Sequence, residues 1–194
     1  MKYDQVYWQN RNLEDKDYWM TLQWIEFLNP TKVFDYGCGN GKHVHCFRYY
    51  GIEAYGEDIS EYAIQNPIGL AKDNIFLIHL PLEGHKSTLE ATPFAKGFSK
   101  FDLVTCIDVL EHIPEQDAIE TIKYLYKLSS KYILVSICFP EDPNFEKDDT
   151  HITRQPRVWW ADQFSKLGLV EVALPTGWLF RPQFMLWEKC GKNG

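Results

Sequence analysis

Two kinds of hydrophobic patterning alternate along the chain. Lys32 to Tyr36, Ile52 to Glu57, Asn74 to Ile78 (NIFLI), Phe101 to Ile107 (FDLVTCI) and Lys131 to Cys138 (KYILVSIC) are short, β-like runs that predict five strands. NIFLI and FDLVTCI are nearly all apolar, the pattern of strands covered on both faces in a parallel sheet. Between them lie stretches of helical period. Asp17 to Leu28 carries Trp19, Leu22, Ile25 and Leu28 on one face and stops at Pro30. Gly41 to Tyr50 reads as a helix ended by Gly51, and a further helical segment starts at Ser60 and ends before Pro67. Pro114 opens a helix at its first turn, with Glu115 and Asp117 near the positive dipole end and Ile119, Ile122, Leu125 and Leu128 facing inward. Trp160, Phe164 and Leu167 mark a last helix closed by Gly168, followed by strands near Leu169 to Ala173 and Gln183 to Glu188. Phe139 to Arg157 has no clear period and reads as a long loop of the kind that carries function. Gly84 to Lys100 reads as an exposed connection.

This alternation predicts the α/β class: a doubly wound, mostly parallel seven-stranded sheet with helices on both faces. Ligands of such sheets bind beyond the carboxyl ends of the strands. The turn after the first strand lies at that edge.

That turn, in "FDYGCGNGKHVHCF", carries Gly37, Gly39 and Gly41 in a G-x-G-x-G spacing. Glycines permit left-handed backbone and leave no Cβ to hold a ligand away, and the amides at the following helix start point at whatever binds. A dinucleotide turn places its third glycine one position later, where this chain has Lys42. Asp35, two residues before the turn, would repel a pyrophosphate but suits a cationic ligand. Asp58 ends the second strand at the position where a carboxylate accepts both hydroxyls of a ribose. A nucleoside carrying a positive charge describes S-adenosyl-L-methionine.

Taken together, "VFDYGCGNG", "YGEDIS" and "FDLVTCIDVLEHIPE" resemble the class I S-adenosylmethionine-dependent methyltransferases, over residues from about 30 to 170. The resemblance implies a Rossmann-like methyltransferase fold over residues 31–194. It implies that the segment Asp35 to Gly41, with Cys38, wraps the methionine part of the cofactor, that Asp58 holds the ribose, and that Cys106, Ile107 and Asp108 line its other side. Ile59 is placed to pack on the adenine face. Many members carry an Asp near the adenine amino group after strand three, where this chain has His79 or Leu80. The aromatic segment of residues 1–30, with Tyr3, Tyr7, Trp8, Tyr18 and Trp19, is expected to lie over the cofactor as a helical lid.

Methyl transfer is an in-line displacement at an activated carbon, so alignment comes first, and a base helps where the acceptor must lose a proton. His112, after strand four, and His151, in "DDTHITRQPRVWW", are the candidate bases. The loop around His151 resembles that of small-molecule and sugar-modifying members of the superfamily. The main expectation therefore has no metal and a small-molecule acceptor, with a hydroxyl slightly favoured. As an alternative, Asp108, Glu111 and His112 at i, i+3 and i+4 share one helical face and, with His151, offer a divalent-ion site, similar to the Glu-x-x-Glu-His pattern of some metal-dependent O-methyltransferases. A protein that binds the cofactor without catalysis is the alternative of another class.

Composition narrows the partners. A formal net charge of −7 without a basic stripe argues against nucleic acid. No apolar run reaches membrane-spanning length and "MKYDQVYWQN" lacks a signal peptide's apolar core, which argues against a membrane partner and for the cytoplasm. The five cysteines include no Cys-x-x-Cys pair and read as buried thiols in a reducing compartment.

Overall fold

The computed structural model describes residues 7–8, 12–78, 100–143, 145–176 and 183–190. By contacts the chain divides into two compact units, Met1–Lys100 and Phe101–Gly194.

The first unit opens with helix α1 (Asp15–Leu28), whose N-terminus is closed by a reciprocal box: the Glu14 side chain accepts from the Asp17 amide and the Asp17 side chain from the Glu14 amide. Its C-terminus ends on Asn29 in the left-handed conformation. The helix lies where its pattern placed it, but another face is buried. Asp17, Thr21, Trp24 and Leu28 point inward, while Trp19 is 61% exposed. Polar contacts explain the rotation, because Asp17 pairs with Lys42 at 3.0 Å and Trp24 packs on His43 and Phe47 of the next helix. Strand β1 (Lys32–Tyr36), helix α2 (Lys42–Tyr49), strand β2 (Glu53–Asp58), helix α3 (Glu61–Gln65) and strand β3 (Ile75–Leu77) follow. β2 pairs in parallel with both β1 and β3. The register sets Tyr36 beside Glu57, which brings the turn after β1 to the end of β2.

The second unit carries strand β4 (Phe101–Ile107), helix α4 (Glu115–Leu128), strand β5 (Ser129–Ser136), helix α5 (Arg157–Ser165) and strands β6 (Leu169–Val172) and β7 (Phe184–Lys189). β5 runs parallel to β4, and β7 is antiparallel to both β5 and β6. Helix α4 buries Ala118, Thr121, Ile122 and Leu125, while Ile119 and Leu128 are only half-buried. Pro114 is its extended cap at φ −55° and ψ 145°, so the first helical residue is Glu115. Phe164 stacks on Trp187 at 5.0 Å between centroids and anchors α5 on β7. The seven strands and their helices are the mostly parallel α/β architecture that the alternation predicts, with β7 reversed.

Candidate active site

In the first unit the glycine turn occupies backbone that side chains resist, with φ at +72° for Gly37, +55° for Gly39 and +84° for Gly41. The Gly37 and Cys38 amides both donate to Glu57 O, at 2.8 and 3.0 Å, and tie the turn to β2. At Gly39 a Cβ would lie 2.2 Å from Trp8 Cη2 and 2.4 Å from Cζ3. The Trp8 indole rests on the turn there and donates from Nε1 to Ser60 Oγ at 2.9 Å. Ser60 also caps α3 by accepting from the Ala63 amide.

Asp58 is 8% exposed and accepts the Gly39 amide on Oδ2 at 2.8 Å and the Ser60 amide on Oδ1 at 2.7 Å. Burial pushes its carboxyl up, and the amides of Ser60, Gly39 and Ile59 draw it back down. Each oxygen keeps a second lone-pair direction for a hydroxyl donor. Asp35 is buried in β1, and Ile59 is partly exposed beside Asp58. Burial, then the charges of Asp58, Asp35 and Glu57, hold the Cys38 thiol well above its ordinary value, so it stays protonated. A turn of left-handed glycines beside two carboxylates suits a cationic nucleoside. The position expected near adenine, His79 or Leu80, lies outside the described residues, as do Tyr3 and the connection from residue 84 to residue 99.

In the second unit Ile107 ends β4 and Asp108 follows at φ +54°, exposed, its Oδ1 accepting from Ser136 Oγ at 2.6 Å. Leu110–His112 is a 3-10 turn. The expected common face of Asp108, Glu111 and His112 is therefore absent, because the left-handed residue breaks the helical spacing and leaves Asp108 in solvent while Glu111 is fully buried. What comes together is Glu111, His112 and His151, with donor atoms within 4.8 Å of one another. The two imidazoles lie 4.7 Å apart between centroids.

Each member of this group is held by its surroundings. Glu111 Oε1 accepts the Cys138 amide at 2.7 Å, while Oε2 is buried with no hydrogen-bond partner. Burial, and the charge of Asp108 after it, push the Glu111 carboxyl up to about 8. His151 is buried, and its Nδ1 lies 2.9 Å from Phe145 O. A carbonyl only accepts, so Nδ1 carries a proton, and in the neutral ring the lone pair is then on Nε2. His112 Nδ1 lies 2.9 Å from Thr150 Oγ1, and burial, then His151, lower the value at which this ring charges, which favours neutral imidazole. The loop that brings His151 here is fastened by the Ile152 and Thr153 amides, both donating to Glu111 O at 2.9 and 3.1 Å, and by Thr153 Oγ1 on Ile113 O at 2.5 Å. Sequence reasoning missed Ser60, Thr150 and Asp148. Ser60 had a signal, since Ser before Glu at a helix start is an N-cap pattern.

Residues 12–172 match the family model described as a methyltransferase domain. The chain belongs to this methyltransferase family. S-adenosylmethionine is its cofactor. Among solved structures, the methyltransferase resembles a SAM dependent methyltransferase from Archaeoglobus fulgidus at TM-score 0.66 and 18% identity, covering 96% of this chain and 100% of that one. It also resembles magnesium protoporphyrin IX methyltransferase from Synechocystis PCC 6803, solved with bound SAH, at TM-score 0.64 and 17% identity, covering 95% and 94%. Both likenesses are likenesses of fold. Among curated proteins, the ubiquinone biosynthesis O-methyltransferase of Azoarcus sp. is 32% identical over 102 residues, 51% of this chain and 42% of the relative. The magnesium-protoporphyrin O-methyltransferase of Synechocystis sp. is 30% identical over 104 residues, 54% of this chain and 43% of the relative. The matched stretches span less than half of either relative's length.

Proposed function

We propose that the protein transfers a methyl group from S-adenosylmethionine to a hydroxyl of a small, sugar-like or other metabolite, with His112 and His151 as bases. When bound, the cofactor supplies a methyl carbon activated by a sulfonium. On the first unit, Asp35, Gly37, Cys38, Gly39, Gly41, Asp58 and Ile59 are the residues that would hold it. The observation that carries the reading is the pair of imidazoles, one buried with its Nδ1 proton held on Phe145 O and the other half-buried beside it. A neutral imidazole takes a proton from a hydroxyl, whereas an already charged ring does not. The names of the curated relatives, both O-methyltransferases, support oxygen as the acceptor. Net charge argues against nucleic acid, and among the described residues no helix is long and apolar enough to cross a membrane. Four buried cysteines, Cys38, Cys46, Cys106 and Cys138, fit a reducing cytoplasm.

Calorimetric titration with S-adenosylmethionine and S-adenosylhomocysteine tests binding, and S-adenosylhomocysteine release with a panel of sugars, phenols and amines tests the reaction. Turnover of a hydroxyl acceptor is expected. Tight binding with turnover of amines alone, or of nothing, overturns the hydroxyl reading, the last result favouring a cofactor-binding protein without catalysis. Trp8 on Gly39 and Ser60 supports the lid role of residues 1–30, and Trp8→Ala should weaken cofactor binding severalfold. Unchanged affinity removes the lid.

A second reading rests on Glu111 Oε2, buried without a hydrogen-bond partner beside the two histidines. One carboxylate and two imidazoles suit a divalent transition ion, with Asp108 outside the group. Such an ion, when bound, lowers the pKa of an acceptor hydroxyl. Loss of turnover on chelation and its return with zinc or manganese supports this reading, and full turnover after chelation overturns it.

A further inference from the structure

The loop after β5 does more than deliver His151. Thr150 sits between two partners: its Oγ1 donates to Asp148 Oδ1, and the same oxygen lies 2.9 Å from His112 Nδ1. The Thr150 amide also donates to Asp148 Oδ1 at 2.9 Å, so backbone and side chain hold the carboxylate in one place. A hydroxyl has a single proton. With that proton given to an oxygen of an ionised carboxylate, which only accepts, Thr150 Oγ1 has only lone pairs left for the imidazole. His112 Nδ1 must then be the donor.

We infer that Asp148 and Thr150 are positioning residues that lock His112 in the Nδ1–H tautomer and so present its Nε2 lone pair to the acceptor. The role assigned to that lone pair rests on the proposed hydroxyl chemistry, but the tautomer itself does not. A histidine side chain in water prefers the opposite form, with the proton on Nε2, so the chain must impose this one. Both histidines then reach the same state by different routes, His151 through a backbone carbonyl and His112 through a hydroxyl relayed to a carboxylate. A carboxylate placed behind an imidazole fixes its orientation and raises its basicity, and the intervening hydroxyl transmits the same bias.

The loop does not depend on this hydroxyl for its place. The Ile152 and Thr153 amides hold it to Glu111 O, and Thr153 Oγ1 holds it to Ile113 O. Thr150→Val therefore removes the relay and keeps the shape, and Thr150→Ser restores the hydroxyl.

The test is the nitrogen-15 chemical shifts of the His112 ring in labelled protein. It is recorded about two pH units above the ordinary histidine value, where the ring is neutral, and assigned by comparison with His112→Gln. The wild type is expected to show a pyrrole-like Nδ1 and a pyridine-like Nε2. Thr150→Val should exchange the two toward the Nε2–H form, and Thr150→Ser should restore the original pattern. A wild-type ring protonated on Nε2, or a Thr150→Val protein that keeps the Nδ1–H pattern, overturns the proposal. With an acceptor in hand, Thr150→Val should lower kcat about tenfold with KM little changed, and Thr150→Ser should recover it. If the tautomer behaves as expected while His112→Ala leaves kcat intact, the base assignment fails and the positioning stands.

Discussion

Replacing Asp58 by alanine should damage the protein in two separable ways. The carboxylate is buried and receives two backbone amides, those of Gly39 and Ser60. Losing it leaves two N–H groups without partners, each worth roughly 1–3 kcal/mol, while the cost of burying the charge is returned and water entering the space repairs part of the rest. A net loss of about 2–3 kcal/mol follows, which for a chain of 194 residues lowers Tm by about 4–12 °C. Independently, if Asp58 is the ribose acceptor, as proposed, its removal should weaken S-adenosylmethionine binding by roughly 1–3 kcal/mol, about 5- to 150-fold in Kd. Asp58→Asn keeps one oxygen and should melt between wild type and Asp58→Ala. Scanning calorimetry reads the first effect and isothermal titration the second. An Asp58→Ala protein that melts within about 1 °C of wild type would sink the account of the turn. One that binds the cofactor as tightly as wild type would remove Asp58 from the ribose.

Gly39→Val sets a Cβ against the Trp8 ring in left-handed backbone, and a folded variant by circular dichroism should show no calorimetric cofactor binding; retained binding would place the cofactor elsewhere. His112→Ala and His151→Ala should each cut kcat by about tenfold or more, and if neither does, alignment alone accounts for the rate. Glu111, with its carboxyl pushed up to about 8, binds its proton more tightly folded than unfolded. In chelator-treated protein, stability is then expected to fall as pH rises from the ordinary carboxyl range toward 8, because the unfolded chain releases this proton first. Glu111→Gln should flatten that slope in thermal melts, and an unchanged slope would show that Glu111 does not cause it.

The strands were legible because their signal is local. Lys32–Tyr36 and Phe101–Ile107 are found at their expected bounds, while the strand expected at Lys131 to Cys138 is found at Ser129–Ser136. Which face of α1 is buried was not legible, since the ion pair of Asp17 with Lys42 puts a charge on the inner side and leaves Trp19 outside. The glycine turn and Asp58 announced themselves by residue type and spacing. Asp108 misled for the opposite reason: i, i+3, i+4 spacing assumes a helix, and the left-handed backbone at Asp108 breaks that spacing. The contacts of Trp8 with Ser60 and of Thr150 with His112 span 52 and 38 positions, and no periodicity reports partners that far apart.

Glu111 holds three stretches of chain at once. Its side chain takes the Cys138 amide at the end of the β5 region, its carbonyl takes the Ile152 and Thr153 amides from the loop, and its own backbone forms the turn that carries His112. Three segments tied to one residue cannot separate one by one. They open as a cooperative unit, so the Cys138, Ile152 and Thr153 amides should exchange with solvent deuterium at one common free energy. The two histidines therefore part only when the whole knot comes undone, and a substrate that enters must be accommodated around a pair whose spacing is already set.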